Sequence, residues 1–238
     1  MEQHYDLYTE EDLKVWKKLY SRQYENLQGK SCSLYLECLD GLNPVLNQER
    51  IPDFNELKKA LSLSTGWTIE VVPGLIPVDE FFQFLSERKF CSSTWLRSYS
   101  QLDYLEEPDM FHDIFGHIPM IAHEPYAKFM QDFGTLGVKH KDEPAVVKAL
   151  QNIYWYTIEF GLMEGPHGLE TYGAGIASSF GETNHVFNES VEIKDFSLEE
   201  IMNRDFVNSE IQNTYYRLES FEQLFNCLEA LPNHVLSN

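Results

Sequence analysis

Apolar residues recur three and four positions apart over much of the chain, and that spacing divides it into a succession of helices. Thr9 is suited to capping a helix, and behind it Leu13, Trp16, Leu19, Tyr20 and Tyr24 form one apolar stripe that predicts a helix ending at Gly29. A shorter helix is expected over 33–39, and Pro52-Asp53 opens a third with Phe54, Leu57 and Leu61 facing inward. The period then changes. Trp67, Ile69 and Val71 alternate with Thr68 and Glu70, the repeat of a half-buried strand, which Pro73-Gly74 ends. Helical spacing returns over 79–88, and Phe90 to Leu96 predicts a strand paired with the first. Further helices are expected around His112, over 127–133 and, as one long element, over 144–161. Glycines cluster from Gly161 to Gly181; beyond them strands are predicted at 191–193 and 214–217, and helices at 198–202 and 221–231. The fold class is therefore mostly α with a small amount of β (α+β), without an internal repeat or linker.

Charge narrows the classes of partner. Lys and Arg total 18 against 38 Asp and Glu, so the formal charge of -20 opposes binding to nucleic-acid phosphates or anionic lipid. The segment from Met1 to Asp6 lacks the basic start and apolar core of a signal peptide, and no apolar run approaches membrane-spanning length. A cytoplasmic protein is expected. Cys32, Cys38, Cys91 and Cys227 form no C-x-x-C pair, which fits reduced thiols packed as small apolar groups.

The candidate chemistry centres on Glu107-Pro108-Asp109-Met110-Phe111-His112-Asp113-Ile114-Phe115-Gly116-His117-Ile118-Pro119. Imidazole is the commonest protein ligand for transition metals, but five residues turn a straight α-helix by about 140° past alignment. Gly116 and Pro119 predict that the helix ends between His112 and His117, so that the chain swings the second imidazole back toward the first. A carboxylate is the expected third donor. Glu159 is the only charged residue in Ile153-Tyr154-Trp155-Tyr156-Thr157-Ile158-Glu159-Phe160-Gly161, with Trp155 four residues back and Leu162 three on. Burying an ionised carboxylate there is costly unless a cation compensates it. Core histidines bonded to backbone and a glutamate on a solvated helix face are the ordinary alternatives. Two histidines and one carboxylate match the facial set of non-haem Fe(II) oxygenases. Zinc hydrolases use similar donors, but their H-E-x-x-H helix is absent, because Asp113 follows His112.

Both ligand segments, followed by Tyr172-Gly173-Ala174-Gly175 and Ser178-Ser179-Phe180-Gly181-Glu182, resemble in order and spacing the blocks of the aromatic amino acid hydroxylases. That pterin-dependent family hydroxylates phenylalanine, tyrosine or tryptophan. The likeness runs from about Trp67 to about Phe225, and Leu102-Asp103-Tyr104-Leu105 is similar to the bacterial phenylalanine hydroxylases. The resemblance implies Fe(II) on His112, His117 and Glu159, tetrahydrobiopterin or a related reduced pterin, and dioxygen as co-substrate. It implies Ser178 beside His112, Tyr154 near the metal, and a pterin stacked on Phe81 with backbone of Gly74-Leu75-Ile76 at its polar edge. The substrate, a free aromatic amino acid, would meet Arg97 through its carboxylate and Trp155 through its ring, with Asp109, Ser178 and Glu182 nearby. The implied reaction is L-phenylalanine to L-tyrosine, with tryptophan the nearest alternative substrate. Many animal members carry Thr-Pro where this chain has Leu105-Glu106, so one hydroxyl contact to substrate does not carry over. The expectation is a single catalytic domain over 1–238, without regulatory or tetramerisation segments, acting as a monomer or small oligomer.

Overall fold

In the computed structural model, which describes residues 1–103, 105, 107–208 and 210–236, the first helix begins as its capping residues dictate. The Thr9 hydroxyl accepts from the Asp12 amide and the Asp12 carboxylate accepts from the Thr9 amide, a reciprocal cap for α1 (Glu10–Leu27). Trp16, Leu19 and Tyr20 of the predicted stripe are buried, together with Val15 and Leu27, while Leu13 faces solvent. The next two helices, α2 (Ser33–Gly41) and α3 (Phe54–Ser64), follow, the latter capped by Asp53 and burying Phe54, Leu57 and Leu61 as expected.

The first strand forms where the two-residue period predicted it, and its predicted partner is shorter than expected, ending at Ser92 instead of Leu96. β1 (Thr68–Val71) crosses through α4 (Val78–Ser86) to β2 (Lys89–Ser92), which lies parallel with Ile69 opposite Phe90. The body of helices comprises α5 (Ile118–Ile121), α6 (Glu124–Lys139) and α7 (Pro144–Ile153). Gly134 and Gly137 allow α6 to lie directly on α4, since a Cβ at Gly137 would overlap the Phe82 ring.

A hairpin the sequence did not disclose occupies the glycine-rich region: β3 (Leu162–Gly165) pairs antiparallel with β4 (Gly168–Thr171) across the two-residue turn Pro166-His167, with Gly168 just after it at φ of 117°. Then come α8 (Ala174–Ala177), α9 (Phe180–His185), β5 (Glu192–Asp195), α10 (Leu198–Met202), β6 (Thr214–Leu218) and α11 (Phe221–Leu236). The second sheet has the order β4-β3-β6-β5 with β6 parallel to both its neighbours. One apolar core runs through the helices, and a smaller cluster of Leu162, Ile176, Val186 and Tyr215 seals that sheet. All four cysteines are free thiols, and among the described residues no helix is long and apolar enough to cross a membrane. Tyr104 and Glu106 lie outside the described residues, so the likeness at Leu102 to Leu105 and the departure at Leu105-Glu106 have no structural counterpart here.

Candidate metal centre

The two histidines are brought together by a different device from the one predicted. The helix does not end at Gly116. Residues His112–His117 form a π-helical turn that runs on into α5. Such a turn is widened to i→i+5 bonding, so residues five apart stand on one face. Pro119 contributes to the widening, because it has no N–H and its ring crowds the carbonyl four residues earlier, that of Phe115. Gly116 serves packing instead of termination: a Cβ there would stand 2.8 Å from the Ala174 carbonyl oxygen. Gly116→Ala must therefore push α8 away, and with it Ser178 at the end of that helix. A loss of about 1–3 kcal/mol in urea denaturation is expected, with weakened metal binding; wild-type stability would show that α8 yields at no cost.

The third donor arises in the same way. The long helix predicted over 144–161 is α7 followed by a second π-helical turn, Tyr154–Glu159, with the Phe160 amide donating to the Trp155 carbonyl at 3.0 Å. Glu159 consequently shares its face with Tyr154, five residues back, and not with Trp155. The Nε2 atoms of His112 and His117 are 3.3 Å apart, and Glu159 places Oε1 3.1 Å from His117 Nε2 and Oε2 3.6 Å from His112 Nε2. Donors at right angles on metal bonds of about 2.1 Å stand about 3 Å apart, so this set fits one face of an octahedral ion.

Each donor is prepared by its surroundings. The Ser178 hydroxyl donates to the Ala174 carbonyl at 2.8 Å, so at 2.9 Å from His112 Nδ1 its oxygen accepts the imidazole N–H. That fixes the tautomer with the Nε2 lone pair toward the centre. The His117 imidazole lies between two rings, Phe90 at 4.6 Å and Tyr154 at 6.2 Å between centroids. Burial alone would raise the Glu159 carboxyl, but the His117 and His112 imidazoles together hold it well below the usual carboxylate range. Glu159 is therefore ionised at neutral pH. Burial, and then the charge of Glu159, push the Tyr154 hydroxyl well above its ordinary value, so it remains a protonated phenol.

A cavity of about 310 Å³ opens onto the three donors. One wall is Phe81 with Gly74, Leu75 and Ile76, whose backbone groups form no hydrogen bond with any described residue. A flat ring beside unpaired donors and acceptors fits a pterin, which has a π face and a polar edge. The other wall includes Trp155 stacked on Phe206 at 4.4 Å.

Arg97, Asp109, Ser178 and Glu182 are not among the cavity-lining side chains. Arg97 donates through Nε and Nη2 to the fully buried Asp109, each at 2.9 Å, and Asp109 also accepts the His112 amide at 3.1 Å. Among the described residues, the Nη1 corner of Arg97 makes only a 3.4 Å contact, to the Leu102 carbonyl. Glu182, whose carboxyl is raised by burial, accepts from the Tyr215 hydroxyl and the Gln212 amide, while Gln212 Oε1 accepts the Trp155 indole N–H at 3.1 Å. Phe90, Asp113, Phe206 and Gln212 were not singled out from the sequence. Asp113 lines the cavity, accepts the Ser93 amide at 2.9 Å and is pushed up to about 7 by burial; its place beside His112 was the available signal. Phe206 and Gln212 sit in an aperiodic loop that offered none.

A buried face of two imidazoles and one carboxylate at the base of an aromatic cavity defines a non-haem metal site of the oxygenase type. The chain belongs to the biopterin-dependent aromatic amino acid hydroxylases, whose family model matches residues 5–235. It is 43% identical over 222 residues to the phenylalanine-4-hydroxylase of Chromobacterium violaceum, covering 93% of this chain and 74% of that protein. The crystal structure of that species' phenylalanine hydroxylase with bound iron(III) and oxidised 7,8-dihydrobiopterin matches with a TM-score of 0.93 at 41% identity, covering 100% of this chain and 86% of that one. Its iron- and phenylalanine-bound structure matches with a TM-score of 0.88 at 41% identity, covering 95% and 82%. The family and the mostly helical fold expected from the sequence both hold.

Proposed function

We infer that this protein is a pterin-dependent, non-haem Fe(II) monooxygenase that converts L-phenylalanine to L-tyrosine. The observation that carries this reading is the convergence of His112, His117 and Glu159 beside the Phe81 wall of one cavity. The fold is shared with an enzyme whose structure holds iron and a biopterin. When bound, ferrous iron and reduced pterin supply the electrons that activate dioxygen for transfer of one oxygen atom to an aromatic ring.

The chain's own residues bind, orient and exclude water. Ser178 holds the His112 tautomer that presents a lone pair to the metal, and ionised Glu159 offsets cationic charge. Phe81 and the 74–76 backbone hold the pterin, Trp155 packs against the substrate ring, and the aromatic walls keep water from the reacting centre. Tyr154 stays protonated, so it lends a hydroxyl near the metal without acting as a base. The substrate carboxylate is assigned to the outer edge of Arg97, Nη1 and the second Nη2 proton, since Asp109 holds the other edge. Asp109 and Glu182 act on the substrate site through Arg97 and through Gln212 and Trp155. A cytoplasmic location is part of this reading, supported by four free thiols, which accord with a reducing compartment.

The test is purified protein with Fe(II), tetrahydrobiopterin and each aromatic amino acid under air. Phenylalanine is expected to gain one oxygen atom at the greatest rate, only when both iron and pterin are present. Turnover supported by zinc, or independent of pterin, would contradict the reading.

A further inference from the structure

The π-helical turn between the two histidines has a support outside the site. Phe115 lies between the metal ligands, and a helix would bond its carbonyl to the amide of residue 119, which is proline. In the α register that carbonyl has no amide partner, and it sits in a buried segment, where an unpaired acceptor costs about 1–3 kcal/mol. The Tyr35 hydroxyl, from α2 and 80 residues away, donates to it at 2.5 Å. The Tyr35 ring is itself fully buried and meets the Phe115 ring edge-on at 6.5 Å. Among the described residues, Tyr35 belongs neither to the lining of the donor cavity nor to the donor set.

We propose that Tyr35 is a positioning residue for the metal centre: by satisfying the Phe115 carbonyl it holds the His112–His117 turn in the π register that aligns the two imidazoles. Burial raises the Tyr35 hydroxyl well above its ordinary value, so it stays a donor throughout the working pH range. In the α register His117 turns away from His112, so the bond that keeps the turn wide keeps the ligand set whole. The proposal rests on reading His112, His117 and Glu159 as the iron ligands.

Co(II) is the probe, because its visible ligand-field bands report coordination geometry without turnover. Tyr35→Phe is expected to weaken Co(II) binding about tenfold, as for partners that orient ligands elsewhere, and to change those bands. The decisive variant is Tyr35→Phe combined with Pro119→Ala, which returns an amide to the Phe115 carbonyl in the α register. Its melting temperature is expected to recover while Co(II) affinity stays weak, a separation that a merely stabilising tyrosine cannot produce. Wild-type Co(II) affinity and bands in Tyr35→Phe, or recovery of both stability and metal binding in the double variant, would overturn the proposal. Should Tyr35→Phe fail to fold, the double variant decides alone by the same two readouts. A wild-type chain that binds no Co(II) removes the metal reading and the proposal together, whereas equal binding by wild type and variants removes only the role of Tyr35.

Discussion

Glu159→Ala is expected to abolish metal retention and amino acid hydroxylation together, leaving a folded chain. The carboxylate is the only anionic member of the donor set, facing Nε2 of both histidines at 3.1 and 3.6 Å. Without it two neutral imidazoles are the only members of the donor set left, and neither brings a charge to balance a divalent ion. The loss should exceed the roughly 10–100-fold seen when a partner behind a ligand is removed, because here the ligand itself goes. Folding is spared, since the variant removes a charge whose burial is costly by itself. The measurement is Fe(II) content after gel filtration against a mild chelator, alongside product formation. Glu159→Gln separates shape from charge and should fail in the same way. Iron retained at wild-type level with normal turnover would remove Glu159 from the ligand set.

The donor identities were legible in the sequence, whereas the geometry that unites them was not. A glutamate alone among aromatic and branched neighbours, and two histidines in a largely apolar segment, are chemically conspicuous whatever the local fold. Their alignment depends on two π-helical turns, and a 3.6-residue period has no place for a five-residue repeat. Gly116 and Pro119 were therefore read as a helix stop. Proline in a helix interior can instead widen the turn, and glycine can mark a close approach, here of the Ala174 carbonyl. Local signals worked where the interactions were local: the Thr9 cap, the helix start at Pro52-Asp53, and the alternation that gave β1. They failed where partners are distant. The β3–β4 hairpin is pinned partly by the long-range Ser31 and Cys32 contacts to Thr171, and the Glu182, Gln212 and Trp155 chain spans three separate elements.

Arg97→Ala shows how the structure changes an expectation drawn from sequence alone. Resemblance implied a residue that meets the substrate carboxylate, so that its loss would raise the substrate requirement and leave the metal intact. Among the described residues the guanidinium is instead the only cation on the fully buried Asp109, held through two 2.9 Å bonds and a third from the Arg97 amide at 3.0 Å. Removing it strands a buried carboxylate, a change that costs about 3–5 kcal/mol in comparable pairs. Asp109 also accepts the His112 amide, so the first residue of the π-helical turn loses a fixed anchor at the same time. Arg97→Ala should therefore unfold at much lower urea, bind iron less tightly and require far more phenylalanine for half-saturation. Arg97→Lys should fare little better, because an ammonium cannot span both carboxylate oxygens. The double variant Arg97→Ala with Asp109→Ala separates the effects: most of the folding stability should return once no charge is stranded, while the raised KM for phenylalanine should persist. If KM returned with stability, Arg97 would be a structural partner of Asp109 alone, and the substrate carboxylate would have to be bound elsewhere. If Arg97→Ala were as stable as wild type, the buried pair would not be the constraint its geometry makes it.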